Sequence, residues 1–291
     1  MTHKYEAEKT QAYFTDNSKL YDLYESDEGP SPRDRILLEK ILPRLGRSVT
    51  KILDYGCGAG GLLGQLAAKG YDVMGVEPNG QLRSLAIGKL RKLGLGDDRI
   101  KQGSVDQLTT LNSHDTDLCV SMGVFQYLSD DELRETLKRI RNVLTPNGNF
   151  VCTFQNALFD LFTFNKYTVD FYEHQLLPSL TDLGLDLQVA IAGVRKLITN
   201  PELPRYDRVR ARDNIFVRLS NPLTIHKELG DHGFEVKDLY FYTLHPVPPL
   251  LREDQRDRVD RISSAIEVEK SQEWYGYFIG NAFLVHCGLR S

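Results

Sequence analysis

At 291 residues the chain is long enough for one large domain, or one domain carrying a substantial insertion. Its 41% hydrophobic and 26% charged residues are ordinary for a globular protein, and a formal net charge of −4 lacks the basic excess of a nucleic-acid coat. No apolar run approaches the roughly 18 residues of a membrane span, and the start MTHKYEAEKT has no signal-peptide layout, so a cytoplasmic protein is expected.

Residues 1–30 are polar but carry Tyr5, Tyr13, Phe14, Tyr21 and Tyr24, and are expected to form a cover segment. A helix is predicted from Ser31, with Pro32 in its first turn and Leu37, Leu38, Ile41, Leu42 and Leu45 at helical spacing. From there the chain alternates. Lys51–Tyr55 is a short apolar strand, followed by a glycine loop and a helix through Leu62, Leu63, Leu66 and Ala67. Tyr71–Val76 is a second strand, and a helix runs from about Gln81 to Leu93. Arg99–Gln102 reads as a weak third strand and Thr116–Ser121 as a stronger fourth. Ser129-Asp130-Asp131-Glu132 is a capping box that opens a helix with Leu133, Leu137, Ile140 and Leu144 on one face. Pro146-Asn147-Gly148 ends it, and Phe150–Phe154 is a fifth strand.

The rhythm then breaks for about 65 residues before a helix at Pro222–Gly230, strands at Gly233–Tyr242 and Asn281–Cys287, and a charged helix at about 251–270 between them. The pattern predicts an α/β fold: a seven-stranded, mostly parallel sheet with helices on both faces and an inserted lid between the fifth and sixth strands. The expected boundaries are 1–30 for the cover, 31–154 and 221–291 for the core, and 155–220 for a substrate-binding lid. The four cysteines, Cys57, Cys119, Cys152 and Cys287, form no CxxC pair, and three fall in predicted strands, so buried packing is expected and no metal site.

The run Asp54-Tyr55-Gly56-Cys57-Gly58-Ala59-Gly60-Gly61 follows a strand and opens a helix. Glycines there let backbone approach a ligand, and the helix start presents free N–H groups to it. Glu77 ends the second strand 21 residues after Gly56, placed to accept the two hydroxyls of a ribose. Gly56, Gly58 and Gly61 also satisfy the dinucleotide fingerprint G-x-G-x-x-G. Asp54 argues against that reading, because a carboxylate two residues before the first glycine would repel a pyrophosphate. It would suit an ammonium and a sulfonium.

Together with DLCVSMGVFQYL from Asp117 to Leu128 and LTPNGNFV from Leu144 to Val151, these motifs carry a resemblance. Residues 51–154 resemble the class I, Rossmann-like S-adenosylmethionine-dependent methyltransferases, in the style of the small-molecule enzymes that methylate quinones. The resemblance implies S-adenosylmethionine as cofactor. It implies a cofactor site built from Asp54, Gly56, Cys57, Gly58 and Gly60, with Glu77 and Pro78, Ser104, Val105 and Asp106, and Met122. The family often places an aspartate after the third strand to bind the adenine amino group. Here that position is Ser104, and Asp106 is the alternative. Many relatives carry a histidine or glutamate after the fourth strand, where this chain has Gln126.

The acceptor should meet the cofactor along the edge formed by the strands' carboxyl ends. Tyr21 and Tyr24 from the cover, Gln126 and Tyr127, and Gln155 and Asn156 are the candidate acceptor contacts. His245 is the candidate general base, because it lies just beyond the sixth strand and Pro246 restricts its backbone. His174, in the insertion, is the reserve. The aromatic stretch Phe159–Tyr172 reads as a packing face, a lid or a dimer face. The expected activity is methyl transfer to a small or medium-sized polar metabolite, with oxygen placed ahead of nitrogen as acceptor atom. A dinucleotide-dependent oxidoreductase and a non-catalytic cofactor-binding protein are the readings from other classes. No nucleic-acid or membrane partner is expected, and a homodimer is an option.

Overall fold

The computed structural model describes residues 5–18, 30–176, 187–198, 214–248, 262 and 265–290. Eight strands form one sheet: β1 (Lys51–Tyr55), β2 (Asp72–Glu77), β3 (Ile100–Gln102), β4 (Thr116–Ser121), β5 (Leu144–Asn156), β6 (Leu219–Ser220), β7 (Phe234–Leu244) and β8 (Gly280–Leu289). The order is β3-β2-β1-β4-β5-β8-β7. The neighbours from β3 to β5 pair in parallel, and β8 lies antiparallel between β5 and β7. The sheet is therefore the expected seven-stranded, mostly parallel one. The two-residue β6 is an addition: Leu219 and Ser220 pair with Gln155 and Asn156, so the insertion returns to the strand it left.

Both faces of the sheet are covered, which is why β1 reads as a continuous apolar run and not as an alternation. Ile52 faces a core layer with Leu63, Leu66, Ala86 and Leu90. Leu53 and Tyr55 face the opposite layer, with Leu137, Ile140 and Phe150. Leu63, Leu66, Ala86 and Leu90 come from helices α3 (Gly61–Ala68) and α4 (Gly80–Lys92) on one side, Leu137 and Ile140 from α5 (Asp130–Val143) on the other, and Phe150 from β5. The capping box forms as predicted: the Ser129 hydroxyl accepts from Glu132 N–H at 3.3 Å and Glu132 accepts from Ser129 N–H at 2.9 Å.

Ahead of the sheet, α1 (Ala7–Asp16) and α2 (Pro32–Ile36) flank the cavity described below. Ser31 caps α2 through Asp34 N–H, as its sequence predicts. The single long helix expected after it is interrupted by a π turn at Leu37–Ile41 before it resumes over Leu42–Leu45. Pro43 supplies the reason: it has no N–H to return to Glu39, and Leu42 N–H reaches back five residues to Leu37.

In the insertion, α6 (Phe159–Phe162), α7 (Lys166–Phe171) and α8 (Leu187–Ile198) are described, and Phe159, Tyr167 and Phe171 are buried as a packing face. Helix α9 (Ile225–Gly230) precedes β7, and α10 (Gly276–Ile279) precedes β8. Most of the charged segment expected as a helix at 251–270 lies outside the described residues. All four cysteines are free and buried. Among the described residues, no helix is long and apolar enough to cross a membrane, and no three His, Cys, Asp or Glu side chains are grouped to hold a metal.

Candidate functional site

After β1 the chain turns through Gly56, Gly58 and Gly60 at φ of +79°, +56° and +80°. A Cβ on Gly56 would lie 2.2 Å from Val124 Cγ2, and one on Gly60 would lie 2.8 Å from Ala86 Cα. Conformation and space both demand glycine at these two positions. Gly56 and Cys57 donate their N–H groups to the Val76 carbonyl at 2.8 and 3.2 Å, which ties the loop to the end of β2. Glu77 closes the arrangement. Its carboxylate accepts from Gly58 N–H at 2.9 Å and from Asn79 N–H at 2.8 Å, and it is buried between the two loops. Asp54, also buried, stands on β1 below the turn.

These residues line a cavity of about 340 Å³ at the carboxyl edge of the sheet, a size usual for small-ligand sites. Of the residues expected from sequence, Asp54, Gly56, Cys57, Gly58, Glu77, Pro78, Ser104, Met122, Gln126 and Tyr127 all line it. Ser104 shares a 3.1 Å hydrogen bond with the Tyr55 hydroxyl. Gly60 and Val105 are not in the lining, and neither is Asp106. The Asp106 carboxylate is engaged locally, accepting from Ser104 N–H at 2.8 Å and from the Gln107 side chain at 3.1 Å. The backbone bond from Ser104 is the main cause that holds its pKa below the usual carboxylate range.

The remaining expectations lie apart. Gln155 pairs within the sheet, and Asn156 donates to the carbonyls of Tyr277 and Gly280 at 2.8 Å each, fastening β5 to the approach of β8. His245 is buried, its ring 4.9 Å from that of Phe159 in the insertion, and it is not among the lining residues. His174 sits on the π turn Tyr172–Leu176 and does not line the cavity either. Tyr21 and Tyr24 lie outside the described residues.

The cavity also contains residues that sequence reading did not assign to the site. From α1 come Thr10, Gln11 and Phe14, with Tyr5 just before it. Phe14 meets Tyr127 edge to face at 5.0 Å, and Asn79 donates to the Thr15 hydroxyl at 2.8 Å, so the helix is pinned to both sides of the opening. Tyr5 hydrogen-bonds Glu132, and burial first, then that carboxylate, push its hydroxyl pKa up. Arg33 and Asp34 enter from α2. Arg33 lies over Gly123, whose added Cβ would be 2.5 Å from the guanidinium, and hydrogen-bonds Tyr242. Burial raises the Tyr242 pKa, opposed by the charge of Arg33 and by hydrogen bonds to Thr153 and Arg33. A basic residue in the first turn of a helix opposes the macrodipole, and that was the signal available for Arg33. Glu132 was legible only as a capping residue.

The insertion reaches the same edge. Arg218, just before β6, donates its backbone N–H to the Gln126 carbonyl at 2.7 Å and its guanidinium to Asp130 at 2.5 Å. It thereby holds the turn that carries Gln126 and Tyr127.

Residues 52–148 match a family described as a methyltransferase domain. An uncharacterized methyltransferase of Oceanobacillus iheyensis is 29% identical over 167 residues, 57% of this chain and 71% of that protein. Another, from Bacillus licheniformis, is 34% identical over 116 residues, 40% of this chain, and the match spans only 50% of that relative's length. Among solved structures, a Burkholderia thailandensis 1,6-didemethyltoxoflavin N1-methyltransferase with its substrate and S-adenosylhomocysteine bound superposes with a TM-score of 0.53. The two are 14% identical, and the match covers 98% of this chain and 89% of that one. An S-adenosylmethionine-dependent methyltransferase of Archaeoglobus fulgidus gives 0.51 at 14% identity, covering 92% and 99%.

Proposed function

We propose that this chain, whose residues 52–148 match a methyltransferase domain, is a class I S-adenosylmethionine-dependent methyltransferase and that it methylates a small polar metabolite enclosed beneath α1, between the glycine loop and the turn after β4. One observation carries the reading: the glycine loop, Asp54 and Glu77 face one cavity that α1 and α2 cover.

The lining fits the cofactor group by group. The absent Cβ at Gly56 lets Val124 pack against the loop, and both residues line the cavity. Glu77, already fixed by two N–H donors, keeps lone pairs for the two ribose hydroxyls. Asp54 suits the ammonium, and Arg33, the one Lys or Arg among the described lining residues, suits the carboxylate. Ser104, which lines the cavity while Asp106 does not, is the proposed partner of the adenine amino group.

The bound sulfonium supplies a methyl group already activated toward displacement. What the protein must add is alignment and exclusion of water. Phe14 and Tyr127 close the cavity on the proposed acceptor side, and Gln126, which lines it with its backbone held by Arg218, is the proposed hydrogen-bond partner of the acceptor. His245, packed on Phe159, is proposed as a support for the insertion and not as the base. Sequence reading ranks oxygen ahead of nitrogen as acceptor atom. The charge balance of the lining favours nitrogen.

The test is calorimetry with S-adenosylhomocysteine and NAD. Wild type should bind the first, and Glu77→Ala should bind it at least about tenfold more weakly, since a charge-assisted hydrogen bond contributes roughly 1.5–3 kcal/mol. Tighter binding of NAD, or an unchanged affinity in Glu77→Ala, would overturn the assignment.

A further inference from the structure

The described lining holds four carboxylates, Asp34, Asp54, Glu77 and Glu132, against one guanidinium, Arg33. Three of the four have partners. Glu77 is held by two N–H donors, and Glu132 accepts from Ser129 and from Tyr5. Asp54 has the cofactor ammonium under the reading above. Asp34 differs. It is 6% exposed, and its Oδ1 has no hydrogen-bond partner among the described residues. Its nearest charge is Arg33 Nε at 3.6 Å, an ion-pair contact too long to be a hydrogen bond.

A buried carboxylate oxygen without a donor carries a desolvation cost that an incoming N–H would remove. The Arg33 guanidinium hydrogen-bonds Tyr242 and reaches over Gly123, and its Nε stays beyond hydrogen-bond distance of this oxygen, so a donor at that distance can be supplied by what fills the cavity. The cofactor carries a sulfonium, an ammonium and a carboxylate, one net positive charge, so with it bound the lining remains negative by two. Phe14, Met122, Tyr127 and Leu128 supply apolar and aromatic surface beside this charge. A cationic or N–H-rich head on an apolar body matches both features.

We propose that the acceptor is a small amine with an aromatic or apolar body, and that Asp34 is the acceptor-binding residue that receives its N–H. This rests on the cofactor placement proposed above. In the transfer, the lone pair of the free-base nitrogen forms the C–N bond while the electrons of the C–S bond return to sulfur, leaving a neutral thioether. The nitrogen gains a positive charge in that step. The Asp34 carboxylate, accepting the N–H hydrogen bond, stabilises this charge as it develops, and the surplus proton passes to solvent.

The experiment uses the full chain saturated with S-adenosylhomocysteine and titrates matched probes, phenethylamine against 2-phenylethanol and benzylamine against benzyl alcohol. Methyl transfer from S-adenosylmethionine to the same probes is measured in parallel. Wild type should bind and methylate the amines in preference to the alcohols. Asp34→Asn, which keeps size and an acceptor oxygen, should keep its cofactor affinity and lose about tenfold or more toward the amines. Preference for the alcohols, no engagement of the amines, or equal amine binding by Asp34→Asn and wild type overturns the proposal. The wild-type comparison decides without the variant should Asp34→Asn fail to fold. Failure of wild type to bind S-adenosylhomocysteine would instead bring down the cofactor placement.

Discussion

His286 stands where β5, β7 and β8 meet, far from the carboxyl edge of β5, and is 5% exposed. Its Nδ1 lies 2.9 Å from Asp238 and its Nε2 3.0 Å from Asn149. Burial lowers its pKa more than the Asp238 carboxylate raises it. Asp238 is the counterpart: burial works to raise its pKa, but hydrogen bonds from Arg44 and His286 outweigh it and hold the carboxylate below its usual range. Both shifts act in one direction. As pH falls below the ordinary histidine value of about 6.5, the unfolded chain takes up a proton that the folded His286 resists, and stability declines. Asp238 adds a second loss below about 4, where its unfolded form protonates first. Thermal melting between pH 7 and pH 5 should fall more steeply for wild type than for His286→Gln. Parallel curves would show that His286 does not titrate in this window.

The legible residues of the site are those that sit together in sequence. Asp54, the glycines and Glu77 announce themselves because a strand, a tight turn and a helix start constrain neighbouring positions. Arg33, Asp34 and Phe14 reach the cavity only through the packing of α1 and α2 onto the sheet, and no local pattern encodes that approach. Gln155 and Asn156 lie at the strand end but outside the cavity lining, and the Asn156 amide is engaged by the carbonyls of Tyr277 and Gly280.

At the scale of elements, α1 depends on tertiary contacts more than on its own stability. Its start has no side-chain cap and its last turn carries no basic residue. What holds it is Asn79, which both caps α4 through the N–H groups of Gln81 and Leu82 and donates to Thr15. Ser18 adds a 2.8 Å bond to Gln81. The helix that follows Glu77 is thus physically joined to the helix that covers the cavity, so cofactor contacts and closure bias each other. Removing residues 1–18 should weaken S-adenosylhomocysteine binding by about tenfold, or about 1.4 kcal/mol. An affinity equal to that of the full chain, measured by calorimetry, would reduce α1 to an ornament of the fold. Helix α1 was anticipated only as a cover of unspecified form, because its apolar residues form no long helical stripe. By contrast α5 was legible from its capping box and its stripe of Leu133, Leu137 and Ile140.

For the whole molecule, the sheet was readable because strand and helix alternate at a spacing that admits few topologies. The insertion was readable only as a break in that rhythm: its helices α6 and α7 are too short for periodicity to mark them, and the twelve-residue α8, long enough to be read, was missed. Its function in the fold is nonetheless concrete. It leaves β5 at Asn156, returns beside it at Ser220, and on the way back Arg218 takes hold of the turn that carries Gln126. The fold supplies a cofactor half common to many activities, and the additions around it choose the acceptor. The central claim is that both halves meet in the cavity between the glycine loop and α1. A crystal structure of the full chain with S-adenosylhomocysteine tests it most directly. The account predicts ribose hydroxyls on Glu77, the amino-acid end between Asp54 and Arg33, and α1 closed over the sulfur. The ligand seated elsewhere, as in the surface cleft between His226 and Arg290, would contradict it.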